Sequence, residues 1–225
     1  MRQDRSVHQA GGGAETHPNP VPRPHQGRSR EKLDRLLTAG AQLFGERGFD
    51  GTRISDVAEL GGCSVGVFYQ RFADKDAFFA AVRSRWIEQA RARIEQSLEA
   101  IPGSPTAPQL VRLIVQDALS LFLEHLGLIR AFLIYESDHP ESSAPMLELA
   151  HSIADRQAGR LLEHGLVGEH PEPALAVRFA LEVLRATLVY LVLRSDEAPL
   201  GLDDERVSRE LERMLGAYLG AAGSG

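Results

Sequence analysis

A single cysteine, Cys63, occurs among the 225 residues, so the chain can form neither an internal disulfide nor a cysteine-based zinc site. Long apolar runs are missing as well, since nothing approaches the roughly 18 uninterrupted apolar residues needed to cross a bilayer. The opening MRQDRSVHQAGGG lacks the apolar core of a secretory signal, so the expectation is a cytoplasmic chain without a membrane partner. Alternating apolar and polar residues bounded by hairpin dipeptides are absent, which argues against exposed strands. No phosphate loop, nucleophile elbow or HExxH motif is found, and no catalytic residue, metal site or cofactor is assigned.

Positive charge is also scarce. The formal net charge is −6, which taken whole argues against a nucleic-acid partner. The total hides a gradient: residues 28–86 carry ten Lys/Arg against eight Asp/Glu, whereas residues 87–225 carry twelve against twenty-one. Phosphate binding needs local positive charge rather than a basic total, so only the first third of the chain is a candidate.

What is present is a set of helical patterns. Residues 1–27 hold four prolines, four glycines and three histidines without apolar periodicity, and are read as a disordered tail. His8, His17 and His25 are spaced too irregularly for a metal tract. From Ser29, apolar residues at Leu33, Leu36, Leu37, Ala41, Leu43 and Phe44 mark a first helix ending at Gly48. Thr52 is placed to cap a second helix through Ile54, Val57, Ala58 and Leu60, which Gly61 and Gly62 break. Ser64 can cap a third helix running to about Arg71, and Asp74 a fourth that starts near Lys75 and stops before Pro102 and Gly103. Further helices are expected at 107–125, 127–137, 142–165, 172–194 and 203–220. The fold class is therefore all-α, with about nine helices: a small N-terminal bundle over residues 28–75 and a larger C-terminal one over residues 76–225.

Two short helices joined by a glycine-containing turn and backed by a longer one have the helix-turn-helix layout, whose later helix enters the major groove. Val65 and Gly66 are small enough to let that helix approach. A glycine inside a helix costs about 1 kcal/mol relative to alanine, so Gly66 needs a reason: close approach to nucleic acid, or close packing on the first helix. Tyr69 offers a ring for anchoring and a hydroxyl for a phosphate; Gln70 and Arg71 can hydrogen-bond base edges or phosphates; Lys75 can grip the flanking backbone. Phe68 and Phe72, four apart, are read as core. Cys63 is read as a small residue packed in the turn.

The segment 37–79, LLTAGAQLFGERGFDGTRISDVAELGGCSVGVFYQRFADKDAF, resembles the DNA-binding domain of the tetracycline-repressor (TetR) family of transcriptional regulators. The resemblance rests on Ala41 with Leu43-Phe44, Gly48-Phe49, Thr52, Ile54, Val57-Ala58, Gly62-Cys63-Ser64, Gly66, Phe68-Tyr69, Phe72 and Lys75. Cys63 stands where the family usually has valine, and Arg71 where it often has an aromatic residue or histidine. The resemblance implies a homodimer on a palindromic operator in double-stranded DNA, released by a small-molecule inducer held in the C-terminal part. It also implies that Thr52, Tyr69 and Lys75 hold phosphates, with Arg53 adding a contact, and that Ser64, Val65, Gly66, Gln70 and Arg71 lie at or near bases. Arg28, Arg30 and Lys32 either reach a flanking phosphate or minor groove or form a solvated helix end.

Beyond about residue 100 the resemblance fades. The segment EPALAVRFALEVLRATLVYLVLR is apolar nearly all round, which implies burial on more than one side. With a stripe of Val207, Leu211, Met214 or Leu215, and Tyr218 on the last helix, it suits a dimer seam, the alternative being packing within one chain. Arg178, Glu182 and Arg185 share one face of the eighth helix and either pair with one another or contact a ligand. By analogy with the family, a pocket is expected among helices four to eight, with Trp86, Phe122, Phe132, Tyr135 and Met146 on its walls and Arg178 and Glu182 beside it. Glu136, Asp138, His139 and Glu141 could instead serve metal binding or acid–base chemistry, though a polar helix end before Pro140 accounts for them too. The rival function is accordingly an all-α small-molecule enzyme or carrier.

Overall fold

In the computed structural model, described for residues 24–101, 103–165, 167, 170–194 and 200–220, the described elements are helical and no strand occurs among them. The expected tail over residues 1–23 lies outside the described residues, while residues 24–27 join the first helix. That helix, α1 (Pro24–Gly51), is interrupted at Gly48, whose φ of 71° only glycine adopts without strain. It is followed by α2 (Ile54–Leu60), α3 (Val65–Tyr69), α4 (Lys75–Glu99), α5 (Ala107–Glu124), α6 (Leu126–Asp138), α7 (Ala144–Glu163), α8 (Pro173–Leu193) and α9 (Glu205–Tyr218), with a 3-10 turn at Pro140–Ser142.

The caps explain most of the boundaries. Ser64 Oγ accepts from the Val67 amide at 3.3 Å, Asp74 Oδ1 from Ala77 at 2.7 Å, and Thr106 and Gln109 form a reciprocal capping box at the start of α5. The expectation for Thr52 is corrected: Arg53 occupies the N-cap of α2 and provides no side-chain bond. Thr52 is instead buried, its hydroxyl within hydrogen-bonding reach of the carbonyls of Gly48 (2.7 Å) and Leu43 (3.1 Å), where it ties the interrupted end of α1 together.

The core runs unbroken from the N-terminal helices into the C-terminal ones. Helix α1 packs on α2, α4 and α6; α6 in turn meets α8, α5 packs on α9, and α7 on α4 and α8. At the α1–α6 crossing a Cβ on Gly127 would overlap the Gly45 carbonyl, and one on Gly45 would stand 3.3 Å from the Leu128 nitrogen. Glycine at both positions lets the two backbones touch. No single described helix is long and apolar enough to cross a membrane; α5 and α6 together are apolar, but they bend by 82° and most of their apolar residues lie in the core, Leu113, Leu123 and Ile134 being exposed.

Candidate nucleic-acid interface and the cavity behind it

The turn between α2 and α3 uses its two glycines differently. Gly62 has a φ of 70°, and a Cβ on Gly61 would stand 2.9 Å from Leu36 Cδ2, so the first lets the chain reverse and the second lets α1 approach. Amides of Gly61, Gly62 and Cys63 donate to Val57, Glu59 and Ala58, closing the end of α2. The five-residue α3 then turns Phe68 fully inward, against Phe78 at 5.0 Å and Phe72 at 5.4 Å between ring centroids.

Ser64, Val65, Gly66, Tyr69, Gln70 and Arg71 are left exposed, Tyr69 at 54% and Val65 at 41%. Residues 65, 66, 69 and 70 are spaced to share one side of a helical turn. Around Gly66, packing on α1 is no explanation: a Cβ there would meet nothing closer than Ser64 Oγ at 3.9 Å. Arg53 is exposed at the start of α2. Lys75 Nζ lies 4.3 Å above the Phe49 ring and 3.5 Å from the Asp50 carbonyl oxygen, at the start of α4. Arg71 reaches back 2.8 Å to the Ser29 hydroxyl, so it also ties the end of α3 to the start of α1. Arg30 and Lys32 are exposed nearby, and the side chain of Arg28 lies outside the described set. Thr52 differs from these residues in being only 2% exposed, with its hydroxyl turned to backbone carbonyls.

Helix α4 leads from this surface into the interior. Trp86 lies eleven residues beyond Lys75, about 16 Å along the helix. It forms part of the wall of a partly open cavity of about 230 Å³ lined by residues of α4, α5, α6, α7 and α8. Of the residues expected there, Trp86, Phe122, Met146 and Glu182 do line it. Three do not. Phe132 is wholly buried, packed at 5.3 Å on Phe79 and 5.8 Å on Trp86. Tyr135 sits at the junction with the N-terminal helices, its ring 4.7 Å from Phe49 and its hydroxyl donating to Asp76 at 2.7 Å. Arg178 points outward and pairs with Asp155 of α7 at 2.9 Å. The expected Arg178–Glu182–Arg185 row is therefore split: Glu182 pairs with Arg185, Nε to Oε2 at 3.0 Å, and both border the cavity.

Further polar residues on the wall are Asp117, Glu136, Ser143, Gln157 and Arg185; ligand contact by Arg185 and work in the chamber by Glu136 were open alternatives from the sequence, whereas Asp117 and Gln157 had no assigned part. Glu136 pairs with Arg83 of α4 at 3.3 Å, both side chains nearly buried. Desolvation raises the Glu136 carboxyl above its ordinary value, and Arg83 opposes that rise only in part. This pair spans 53 residues of sequence and leaves no local signal. Gln157 had one: it falls in register with Met146, Ala150, Ile153 and Ala154 on an otherwise apolar stripe of α7. His139 stacks on Tyr135 at 4.2 Å, its Nδ1 3.1 Å from the Tyr135 carbonyl oxygen, while Glu136 is engaged by Arg83. The two residues on which the enzyme or carrier reading leaned are thus each held by a neighbour.

A short exposed helix set by a glycine turn on two supporting helices, followed by a long helix into a cavity, defines a helix-turn-helix DNA-binding protein. Residues 36–82 match the family described as bacterial regulatory proteins, tetR family. The HTH-type transcriptional regulator UidR of Escherichia coli (strain K12) is 25% identical over 194 residues, which cover 84% of this chain and 93% of UidR. The uncharacterized HTH-type transcriptional regulator YerO of Bacillus subtilis (strain 168) is 29% identical over 75 residues, 33% of this chain and only 26% of YerO. Among solved structures, the transcriptional regulator FadR from Bacillus subtilis in complex with stearoyl-CoA superposes with a TM-score of 0.62 at 17% identity, covering 84% of this chain and 99% of that one. That last likeness is one of fold. The match to the tetR family covers residues 36–82, the helix-turn-helix segment of the chain.

Proposed function

We propose that the protein is a cytoplasmic, homodimeric repressor, not an enzyme, that binds a palindromic operator in double-stranded DNA and is released by a small-molecule inducer. Residues 28–75 would read DNA and residues 76–225 would hold the inducer and the partner chain. The observation that carries this reading is α4, which starts beside the exposed α3 at Lys75 and forms the cavity wall at Trp86. A ligand that prefers a different setting of α4 would change the spacing of two α3 helices in a dimer, which must match about 34–36 Å on DNA. Near-complete release requires a preference of several kcal/mol for the unbound setting. The stearoyl-CoA complex of FadR supports small-molecule binding by a protein of this fold.

On the DNA side, Tyr69, Lys75 and Arg53 would hold phosphates, and Ser64, Val65, Gly66, Gln70 and Arg71 would lie at base edges. Thr52, buried as it is, would contribute by fixing the end of α1 rather than by offering its hydroxyl. The dimer seam would be the outer face of α8 with α9. Leu175, Phe179, Tyr190 and Leu193 of α8 and Met214 and Tyr218 of α9 are large apolar side chains left exposed, and Phe179 and Tyr218 meet at 5.7 Å.

The test is selection of bound sequences from fragmented genomic DNA of the source, followed by titration of the best site and transcription in vitro. Enrichment of a two-fold symmetric motif whose promoter is silenced by the protein establishes the repressor. Tyr69→Ala and Lys75→Ala should weaken binding to every sequence, with a shallower salt dependence for Lys75→Ala. No enrichment over these variants would reject DNA binding through α3, and stimulation of transcription would make the protein an activator.

A further inference from the structure

We propose that the cavity takes a neutral, mainly apolar small molecule carrying an oxygen acceptor, and that the side-chain amide of Gln157 is its anchor. The inference deepens the reading of the cavity as an effector site and rests on it.

Three observations converge. Gln157 is 7% exposed and faces the cavity from the apolar stripe of α7; its amide makes no hydrogen bond among the described residues and stays accessible from the cavity. On a mostly apolar wall such an amide has only cavity water to bond, which a ligand oxygen can replace. The indole N–H of Trp86, on the same wall, is buried without an acceptor. Both groups present N–H donors, and Gln157 a carbonyl acceptor as well, so an oxygen-bearing ligand suits them.

The second observation concerns charge. Each ionised group on the wall already has a counterion: Glu136 has Arg83 at 3.3 Å, Asp117 has Arg93 at 3.6 Å, and Glu182 has Arg185. Asp117 also accepts from the Ser97 hydroxyl at 3.1 Å. An anionic ligand would have to take Arg185 from Glu182, and a cationic one would have to take a carboxylate from its arginine. A cation at Glu136 would strand the buried Arg83 guanidinium, and an anion at Arg185 would have to compete with a carboxylate already paired there.

Size is the third. An apolar cavity of about 150 Å³ holds benzene. At about 230 Å³ this one admits a somewhat larger molecule, such as a medium-chain ketone, a lactone or a carboxamide, in its present shape.

The chain has one tryptophan, Trp86, so its emission reports occupancy directly. The DNA-free protein is titrated with nonanone, octanoate, octylammonium and toluene, and binding is confirmed by calorimetry. The expected result is saturable binding of nonanone, about tenfold or more tighter than either charged probe. Gln157→Met keeps length and removes hydrogen bonding; it should weaken nonanone by about tenfold while changing toluene less than about twofold. The same variant without ligand should melt at or above the wild-type temperature, because it breaks no hydrogen bond within the protein and places an apolar side chain on an apolar wall. Tighter binding of a charged probe, undiminished nonanone binding by Gln157→Met, no saturable nonanone binding, or a lower melting temperature of the variant each overturns the proposal. Operator affinity is measured on the same preparation. Intact DNA binding without nonanone binding rejects the ligand class alone, and nonanone binding without DNA binding supports the ligand class while rejecting the regulator.

Discussion

Arg83 of α4 and Glu136 of α6 form an ion pair at 3.3 Å, with side chains only 8% and 12% exposed. It joins the helix that starts at the DNA-facing surface to the helix on which α1 rests. Removing one partner strands the other in a desolvated place, so Arg83→Ala or Glu136→Ala should cost about 3–5 kcal/mol of stability in denaturant titration. The double variant Arg83→Met, Glu136→Leu should recover most of that loss. Single losses below about 1 kcal/mol would mean that water reaches the pair.

The same carboxylate gives a pH signature opposite to that of an ordinary surface salt bridge. Desolvation raises Glu136 above 4.5, so the folded chain binds its proton more tightly than the unfolded chain does. Its contribution to stability is therefore present at low pH and is lost as pH rises through the raised value. Glu136→Gln removes this loss, and in urea titrations just above pH 4.5 its stability should rise more steeply with pH than that of the wild type. A shallower rise in the variant would reverse the assignment.

Tyr135 closes the junction between the N-terminal helices and α6. Burial, and then the bond from its hydroxyl to Asp76, push its pKa up to about 12. Since the unfolded chain releases that proton near pH 10, stability should fall as pH rises from 10 to about 12. In a spectrophotometric titration one of the four tyrosines should ionise last, and Tyr135→Phe should abolish that late step. The variant should also lose about 1 kcal/mol, the usual worth of one such hydrogen bond.

Much of this was legible in the sequence because it is written locally. Helical periodicity, the caps at Ser64 and Asp74, and the break at Gly61-Gly62 each need only a few neighbouring residues, and they gave the all-α fold and most helix limits. The N-terminal family was legible for the same reason, its matching residues lying in one continuous stretch. Thr52 was misread because a hydroxyl before a helix suggests a cap, whereas its acceptors lie four and nine residues upstream. The cavity was legible only in part. Periodicity shows that Phe132 is apolar and inward, but not whether it meets a void or the rings of Phe79 and Trp86. Arg178 shares a helical face with Glu182, yet a carboxylate of α7 draws it outward, a choice set by tertiary packing.

Two glycines provide opposite tests of what a small residue is for. Gly66→Ala meets open space and relieves a helix of glycine, so the fold should gain about 0.4–1 kcal/mol. DNA affinity should nevertheless fall, because the added methyl stands on the exposed side of α3. Gly127→Ala drives a methyl into the Gly45 carbonyl and should cost about 1–3 kcal/mol by forcing α1 and α6 apart. Thermal melts and operator titrations on both variants separate the two roles; equal DNA affinity for Gly66→Ala would show that the glycine is not needed for approach to DNA.

The outer face of α8 supplies the remaining test. Leu175, Phe179, Tyr190 and Leu193 are exposed apolar residues, while Leu181, Leu184 and Leu188 of the same helix are buried in the core. Charges on the outer face should therefore leave the protomer folded and disturb only what covers that face. Phe179→Glu with Tyr190→Glu should keep the helical circular dichroism of the wild type, sediment as a monomer, and bind the operator about 100-fold or more weaker, since two half-sites no longer share one ligand. Retention of the dimer by this variant would place the seam elsewhere. A monomer with unchanged operator affinity would mean that a single α3 suffices for recognition, which would remove the geometric basis for release by movement of α4.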